Sequence, residues 1–437
     1  MAEKEDYDPY EHREVAHPIS NFGAFLNVIK AIIGTGILAA PMAFRNAGYL
    51  PAIISSILIG LIVIYSKLIL LSGMYELSRR KRVPLLSYGE AMMIGVTEGP
   101  PFFRWLRFFL NDLVKTMLFV NHFGACAVYV IFIANCMKDF GDYYWEEHDN
   151  RIYMAMEIVP LCLIFCIPSL KALVPFVLVA NIALIFGFAI IFYYIFSDMS
   201  AFSEMTSFQD IHLYPLFFGA TMFGFDAPGL IVSIEANAKN PADFRSTCGV
   251  FVQAMLIIIT MQTAFAFFGY WRYGEQIAST ILHNLPFNAA LAAMARIIFA
   301  FSIFVSIPLQ GYVPIDIVWN NWLKAKVAEK RSFALEMVFR IAIALSAVLI
   351  GIACPKLTLV LSLMGALCMS CLGLILPAIL DICVKFETGY GPLKLYLLLS
   401  TLSVFIGIVG AVAGTYVAIH EWVLMYTDRK HMYTDIK

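Results

Sequence analysis

Two short stretches of this 437-residue chain combine residues that break helices with groups that can hold charge. The first is Gly34-Thr35-Gly36, followed by Pro41. The second runs Gly224-Phe225-Asp226-Ala227-Pro228-Gly229, so two glycines, a proline and a carboxylate fall within six residues. Glycine pairs interrupt a helix, and proline removes a donor and clashes with the preceding turn. The half-helix that restarts after a break presents N–H groups at a positive dipole end, which suits an anion. The half that stops presents free carbonyls, which suit a cation. Asp226 adds a carboxylate that costs at least about 2.5 to 3.5 kcal/mol near a bilayer centre, so its type alone marks a functional position. It either handles substrate or protons or pairs permanently with a buried lysine. His122 is the other deeply placed titratable ring, either packed in the core or part of a proton relay.

The elements that position these groups are membrane helices. Hydrophobic residues make up 61% of the chain and charged ones 14%, against about 25% charged in soluble domains, and the mean hydropathy is +0.79. A formal net charge of −1 supplies no basic field for nucleic acid. Eleven apolar runs are long enough to span: 20–43, 49–76, 112–137, 153–168, 172–196, 213–235, 247–271, 288–310, 333–353, 357–380 and 394–420. Residues 1–21 are acidic and polar, the reverse of a cleavable signal. Lys and Arg counted loop by loop give 17 on the side of the N-terminus and 8 on the other, which places the N-terminus in the cytoplasm and the C-terminus outside. The basic cluster Arg79-Arg80-Lys81-Arg82 is an inside anchor beside anionic lipid.

Gly34 and Gly224 stand 190 residues apart. The second and seventh spans start 198 residues apart, the third and eighth 176, the fifth and tenth 185. Five helices followed by five more at a near-constant offset predict an inverted repeat, with broken helices at matching positions marking a midplane site. The expected organisation is a tail at 1–19, repeats at 20–196 and 213–380, an eleventh helix at 394–420 and a tail at 421–437.

At this point the residues carry a family resemblance. Lys30 to Pro41, K-x-x-x-G-T-G-I-L-x-x-P, with Asn46, Ala47 and Gly48 behind it, resembles the first helix of the proton-coupled amino acid transporters of the amino acid/auxin permease family. The segment F-G-F-D-A-P-G through Glu235, Asn237, Lys239, Asn240 and Pro241 is similar to that family's F-A-F-E-G and E-N-x-M-K-x-P segments. The likeness spans about residues 20 to 420. It implies an all-α polytopic fold, a 5+5 inverted repeat of the LeuT type with discontinuous helices 1 and 6, and symport of an amino acid with protons. A zwitterionic substrate needs both charges compensated, so Ile33, Gly34, Thr35 and Gly36 are expected to cradle its carboxylate. Phe223, Phe225 and Asp226 are expected at its amino end and gate, with Asp226 and His122 as proton-coupling candidates. Two departures stand out: Asn27 occupies the place of the family's usual histidine, which weakens a histidine-assisted proton step, and the family's F-E-G becomes Phe225-Asp226-Ala227.

Lys30 is expected either to snorkel or to pair with Glu235, and Lys67, Asp112, Lys115, Glu157, Arg296 and Arg340 to face the bundle or lie near its ends. Ser302 and Ser306, at i and i+4, either complete a sodium site or pack helices. No Walker, zinc-protease or EF-hand motif occurs, so neither cofactor nor metal is expected. The expected function is therefore proton-coupled secondary active transport of a small neutral amino acid or close analogue, with the plasma membrane as its place and a lysosomal or endosomal membrane as the alternative. Nutrient sensing through the same pocket and sodium-coupled transport are the competing functions. Intramembrane hydrolysis lacks a second membrane carboxylate in a partner motif.

Overall fold

The computed structural model describes residues 7–15, 18–167, 174–197, 199, 205–387 and 389–434. Its α-helices are α1 (Asn21–Ile32), α2 (Thr35–Ala47), α3 (Tyr49–Lys81), α4 (Tyr88–Glu98), α5 (Leu110–Tyr144), α6 (Asn150–Met156), α7 (Ile158–Phe165), α8 (Val174–Ser197) and α9 (Tyr214–Phe225). There follow α10 (Pro228–Asn237), α11 (Pro241–Phe244), α12 (Val250–Tyr273), α13 (Ala290–Ile315), α14 (Glu329–Ala353), α15 (Leu357–Met364), α16 (Leu376–Val384) and α17 (Leu395–Thr434). The tenth span passes from α15 to α16 through two π-helical segments, Gly365–Met369 and Cys371–Ile375. Among the described residues, extended pairing is confined to an isolated parallel bridge between Ile19 and Ala238.

Nine helices in the described residues are long and apolar enough to cross a bilayer, and α1 with α2, bent by 52° at their junction, makes a tenth. The fourth expected span, 153–168, does not form one continuous helix. It is divided into α6 and α7 by a turn at Glu157, and the residues 168–170 that would extend it lie outside the described set. Eleven is therefore an approximate count.

The broken helices occupy the centre. α2 packs on α9 and α12, α1 on α10 and α12, and α5 packs along α13. Close approach there depends on missing side chains: a Cβ on Gly365 would lie 1.8 Å from the Gly219 carbonyl oxygen. The periphery carries the lipid-facing surface, with Ile185, Phe186, Leu349 and Val412 each more than 60% exposed, as expected where the surrounding solvent is hydrocarbon. Gly48 turns the chain from α2 into α3 at φ 82°, and a Cβ there would lie 2.7 Å from the Ser207 carbonyl oxygen.

Polar clusters fix the two ends, and their membership agrees with the expected parity of crossings. At one end Arg45 Nε contacts Glu275 Oε2 (3.3 Å), and Glu275 Oε1 accepts from Thr206, Gln209 and Tyr270. At the other, the N-terminal segment folds back on α10. The Tyr10 hydroxyl donates to Glu235 Oε1 (2.7 Å), Arg13 Nη2 lies 3.3 Å from the same oxygen, and Arg13 Nη1 donates to the carbonyls of Glu235 and Ala236. Burial and the neighbouring Glu235 carboxylate push the Tyr10 phenol well above its ordinary range. Lys30 is exposed and does not meet Glu235, which corrects that pairing: the tail's Arg13 takes the partner instead. Hydrogen bonds to a charged group contribute about 1.5–3 kcal/mol each, so Glu235→Gln is expected to speed proteolytic removal of the tail roughly tenfold in detergent. An unchanged cleavage rate would assign the tail's anchorage to the Ile19–Ala238 bridge alone.

Candidate substrate site between the broken helices

The first break consists of Ile33 (φ −74°, ψ 101°) and Gly34 (φ −146°, ψ −146°), both outside helical geometry. The second consists of Asp226 (φ −123°, ψ 139°) and Ala227 (φ −141°, ψ 68°), with Pro228 opening α10. Proline costs least at that first position, where its missing N–H would have no helical acceptor. Two half-helices thus stop and two restart at these breaks. A Cβ on Gly36 would come within 2.9 Å of the Gly224 Cα, so the broken helices touch backbone to backbone.

Between them lies a cavity of about 60 Å³, room for several water molecules. Gly34, Thr35 and Gly36 line it from the first break and Phe223, Asp226, Ala227 and Pro228 from the second. α5 contributes Asn121, His122, Ala125 and Tyr129, α13 contributes Gln310, and the π-helical segment contributes Met369. His122 Nδ1 lies 2.6 Å from Gln310 Oε1, and Gln310 Nε2 donates to the Tyr129 hydroxyl (3.4 Å). An amide oxygen only accepts, so Nδ1 of His122 carries the proton in this arrangement. Thr35 Oγ1 and Asn121 Oδ1 are buried with no hydrogen-bond partner, which leaves polar capacity unspent in the wall.

The carboxylate of Asp226, which lines this space, is engaged by a lysine. Its Oδ1 lies 2.8 Å from Lys67 Nζ of α3, and the two side chains are 0% and 1% exposed. Gly373 makes room for it, since a Cβ there would lie 2.0 Å from Asp226 Oδ2. Next to Gly373, the Leu372 carbonyl accepts from the Tyr88 hydroxyl (2.8 Å), which ties this buried pair to α4. Of the two readings open from the sequence, pairing with a buried lysine is the one realised in this conformation.

The family model described as "Transmembrane amino acid transporter protein" matches residues 17–420. The chain belongs to that transmembrane amino acid transporter family. A relative from Drosophila melanogaster, "Proton-coupled amino acid transporter-like protein pathetic", is 30% identical over 98% of this chain and 90% of its own. "Probable amino acid transporter skat-1" of Caenorhabditis elegans is 24% identical over 93% of this chain and 90% of its own. A solved Na+-coupled sialic acid symporter, in a substrate-bound outward-open state, superposes with a TM-score of 0.48 at 12% identity, covering 94% of this chain and 91% of that one. As a member of that family the chain is a multi-pass membrane transporter and not an enzyme.

Within the transporter, Gly34, Thr35, Gly36, Phe223, Asp226 and His122 come together around one cavity. Two expected site residues do not line it. Phe225 is 1% exposed and lines a separate void of about 10 Å³ with Phe44, Gln262 and Thr263, and Ile33 is half-buried beside the break. The Ser306 hydroxyl donates to the Ser302 carbonyl (2.8 Å), so it is used by its own helix. Sequence reasoning missed Asn121, Tyr129 and Gln310. His122 was the available signal, because Asn121, Ala125 and Tyr129 fall on or beside its helical face. Lys67 was named only as a charge facing the bundle, although an intramembrane lysine calls for a carboxylate partner.

Proposed function

We propose that this transporter carries small neutral amino acids together with protons, by alternating access around the two broken helices. The observation that carries the reading is the facing pair of helix breaks, each with a helix stop and restart, around one small polar cavity. The amide groups opening α2 at Thr35 and Gly36 suit the carboxylate, and the last carbonyls of α1 and α9 suit the ammonium, because helix ends leave those groups without helical partners. The cavity is small and bounded by the Tyr129–Gln310–His122 chain, which favours short side chains.

Proton coupling is supported by the Lys67–Asp226 pair beside the cavity and by the proton-coupled relative. The amino end is then met by carbonyls, and Asp226 serves the proton rather than the ammonium. Access alternates as the five-helix halves at 20–196 and 213–380 rock about the breaks, in the plasma membrane. Uptake of radiolabelled glycine, alanine, leucine and lysine into proteoliposomes with an imposed pH gradient tests this. The reading predicts accumulation of the small neutral pair, driven by an acidic outer side. Binding without accumulation would favour a sensor, and accumulation driven only by a sodium gradient would replace the proton.

A further inference from the structure

We propose that Glu157, outside the central cavity, is a second proton-binding site of the transporter and is loaded in the conformation seen here. The proposal rests on the proton-coupled reading above and adds a site to it. Glu157 sits inside the fourth span, at the turn where α6 ends and α7 begins. It is 3% exposed, and neither carboxylate oxygen has a hydrogen-bond partner.

The other buried or nearly buried carboxylates among the described residues are paired, Glu235 with Arg13. Asp226 meets Lys67, Asp139 meets Arg296 (3.1 Å) and His283 (2.7 Å), and Asp381 meets Lys385 (2.6 Å) and accepts from Ser400. Glu157 differs in having, among the described residues, neither a hydrogen-bond donor nor an ion-pair partner.

The elements packed on the turn explain why no partner arrives. From α5, the titratable Cys136 lies near Asp139, Arg296 and Glu157. Asp139 and Arg296 are already committed to one another, Arg296 Nη2 also donates to the Leu285 carbonyl (2.6 Å), and His283 is held by Asp139. From α14, the face near Met154 is at Gly351, far along the helix from its charged start, and Arg340 there is held by Glu336 and by the Phe165 carbonyl. An ionised carboxylate so placed pays its full desolvation with nothing in return, whereas a carboxylic acid can be lodged there at ordinary polar cost. A proton is the ligand that this environment accepts.

The site is wired to the cavity by packing. α7 contacts α13, and a Cβ on Gly311 would lie 2.4 Å from the Phe165 ring. Gly311 follows Gln310, the α13 residue in the cavity wall. A rearrangement of the α6–α7 turn that exposes or pairs the Glu157 carboxylate therefore shifts the helix holding Gln310. Proton release and reshaping of the substrate site become one event.

Glu157→Gln, which keeps the size and neutrality of the protonated side chain, is the test. Two measurements are made on purified protein: the outer-pH dependence of alanine uptake and alanine counterflow in proteoliposomes, and the infrared difference spectrum on raising pH. Expected are near wild-type counterflow without a gradient, a flattened pH profile in place of a slope of roughly tenfold per pH unit, and loss of a protonated-carboxyl stretch present in the wild type. A Gln variant with the wild-type pH profile, or a wild-type spectrum with no carboxyl band assignable to Glu157, overturns the proposal. If the Gln variant does not fold, Glu157→Asp is measured in the same way, and a pH profile and carboxyl band both unshifted overturn it equally. If wild-type uptake has no pH dependence, proton-coupled transport fails, while the infrared band still decides whether Glu157 binds a proton.

Discussion

Asp226→Asn is expected to lower proton-driven uptake at least tenfold, and Lys67→Met is expected to lower both uptake and thermal stability. The two side chains meet at 2.8 Å with 0% and 1% exposure, and the carboxylate's further contact is with the Ala227 backbone N–H. Breaking a buried pair by removing one partner costs about 3–5 kcal/mol, because the survivor is left as an uncompensated charge. Asp226→Asn leaves the lysine ammonium in that position, so some of its effect is destabilisation and not lost chemistry. The double variant Lys67→Met/Asp226→Asn separates the two, since neutral replacement of a whole buried pair is often tolerated. If the pair only braces α3 against the second break, the double variant recovers both melting temperature and pH-driven uptake. If Asp226 carries the proton, the double variant recovers melting temperature and substrate counterflow while uptake loses its pH dependence. Full pH-driven uptake in the double variant would remove Asp226 from the coupling mechanism.

What the sequence disclosed and what it hid follow from the range of the interactions concerned. The breaks at Gly34 and Asp226 were legible because glycine and proline act on the backbone within a turn of themselves. The spans were legible because hydropathy averages over about 20 residues, and the turn at Glu157 was missed for the same reason, since averaging smooths over one interrupted helix. The direction of the Asp226 side chain was not legible. It is decided by Lys67 on α3 and by the space above Gly373 in the tenth span, residues about 160 and 150 positions away. For Lys30 the sequence leaves snorkelling or a pair with Glu235 open, and the partner of Glu235 comes instead from the polar tail, which hydropathy treats as outside the fold. Gln310 carries no signature of its own, and only the register of α13 against α5 brings it to His122.

Gly36 and Gly34 read alike in sequence and are expected to behave differently on substitution. A Cβ on Gly36 would lie 2.9 Å from the Gly224 Cα and 3.5 Å from both its amide nitrogen and Phe223 Cδ1. Two of those neighbours are backbone, so the added methyl can be housed only by moving α2 away from α9. Overpacking of this kind costs about 1–3 kcal/mol, and at this place it acts where the two broken helices touch backbone to backbone. Gly36→Ala is therefore expected to cut the maximal uptake rate severalfold and Gly36→Val at least tenfold, with a lowered melting temperature. A Cβ on Gly34 meets only the Tyr129 hydroxyl, at 4.0 Å, and its φ of −146° lies outside the left-handed region that favours glycine. Gly34→Ala costs little strain and instead adds a methyl to a cavity of about 60 Å³. Its expected signature is a raised KM with the maximal rate and melting temperature retained, and a greater loss for alanine than for glycine as substrate. Identical kinetic defects in the two variants would mean that the breaks do not close against each other at Gly36, and that the contact between α2 and α9 is incidental to transport.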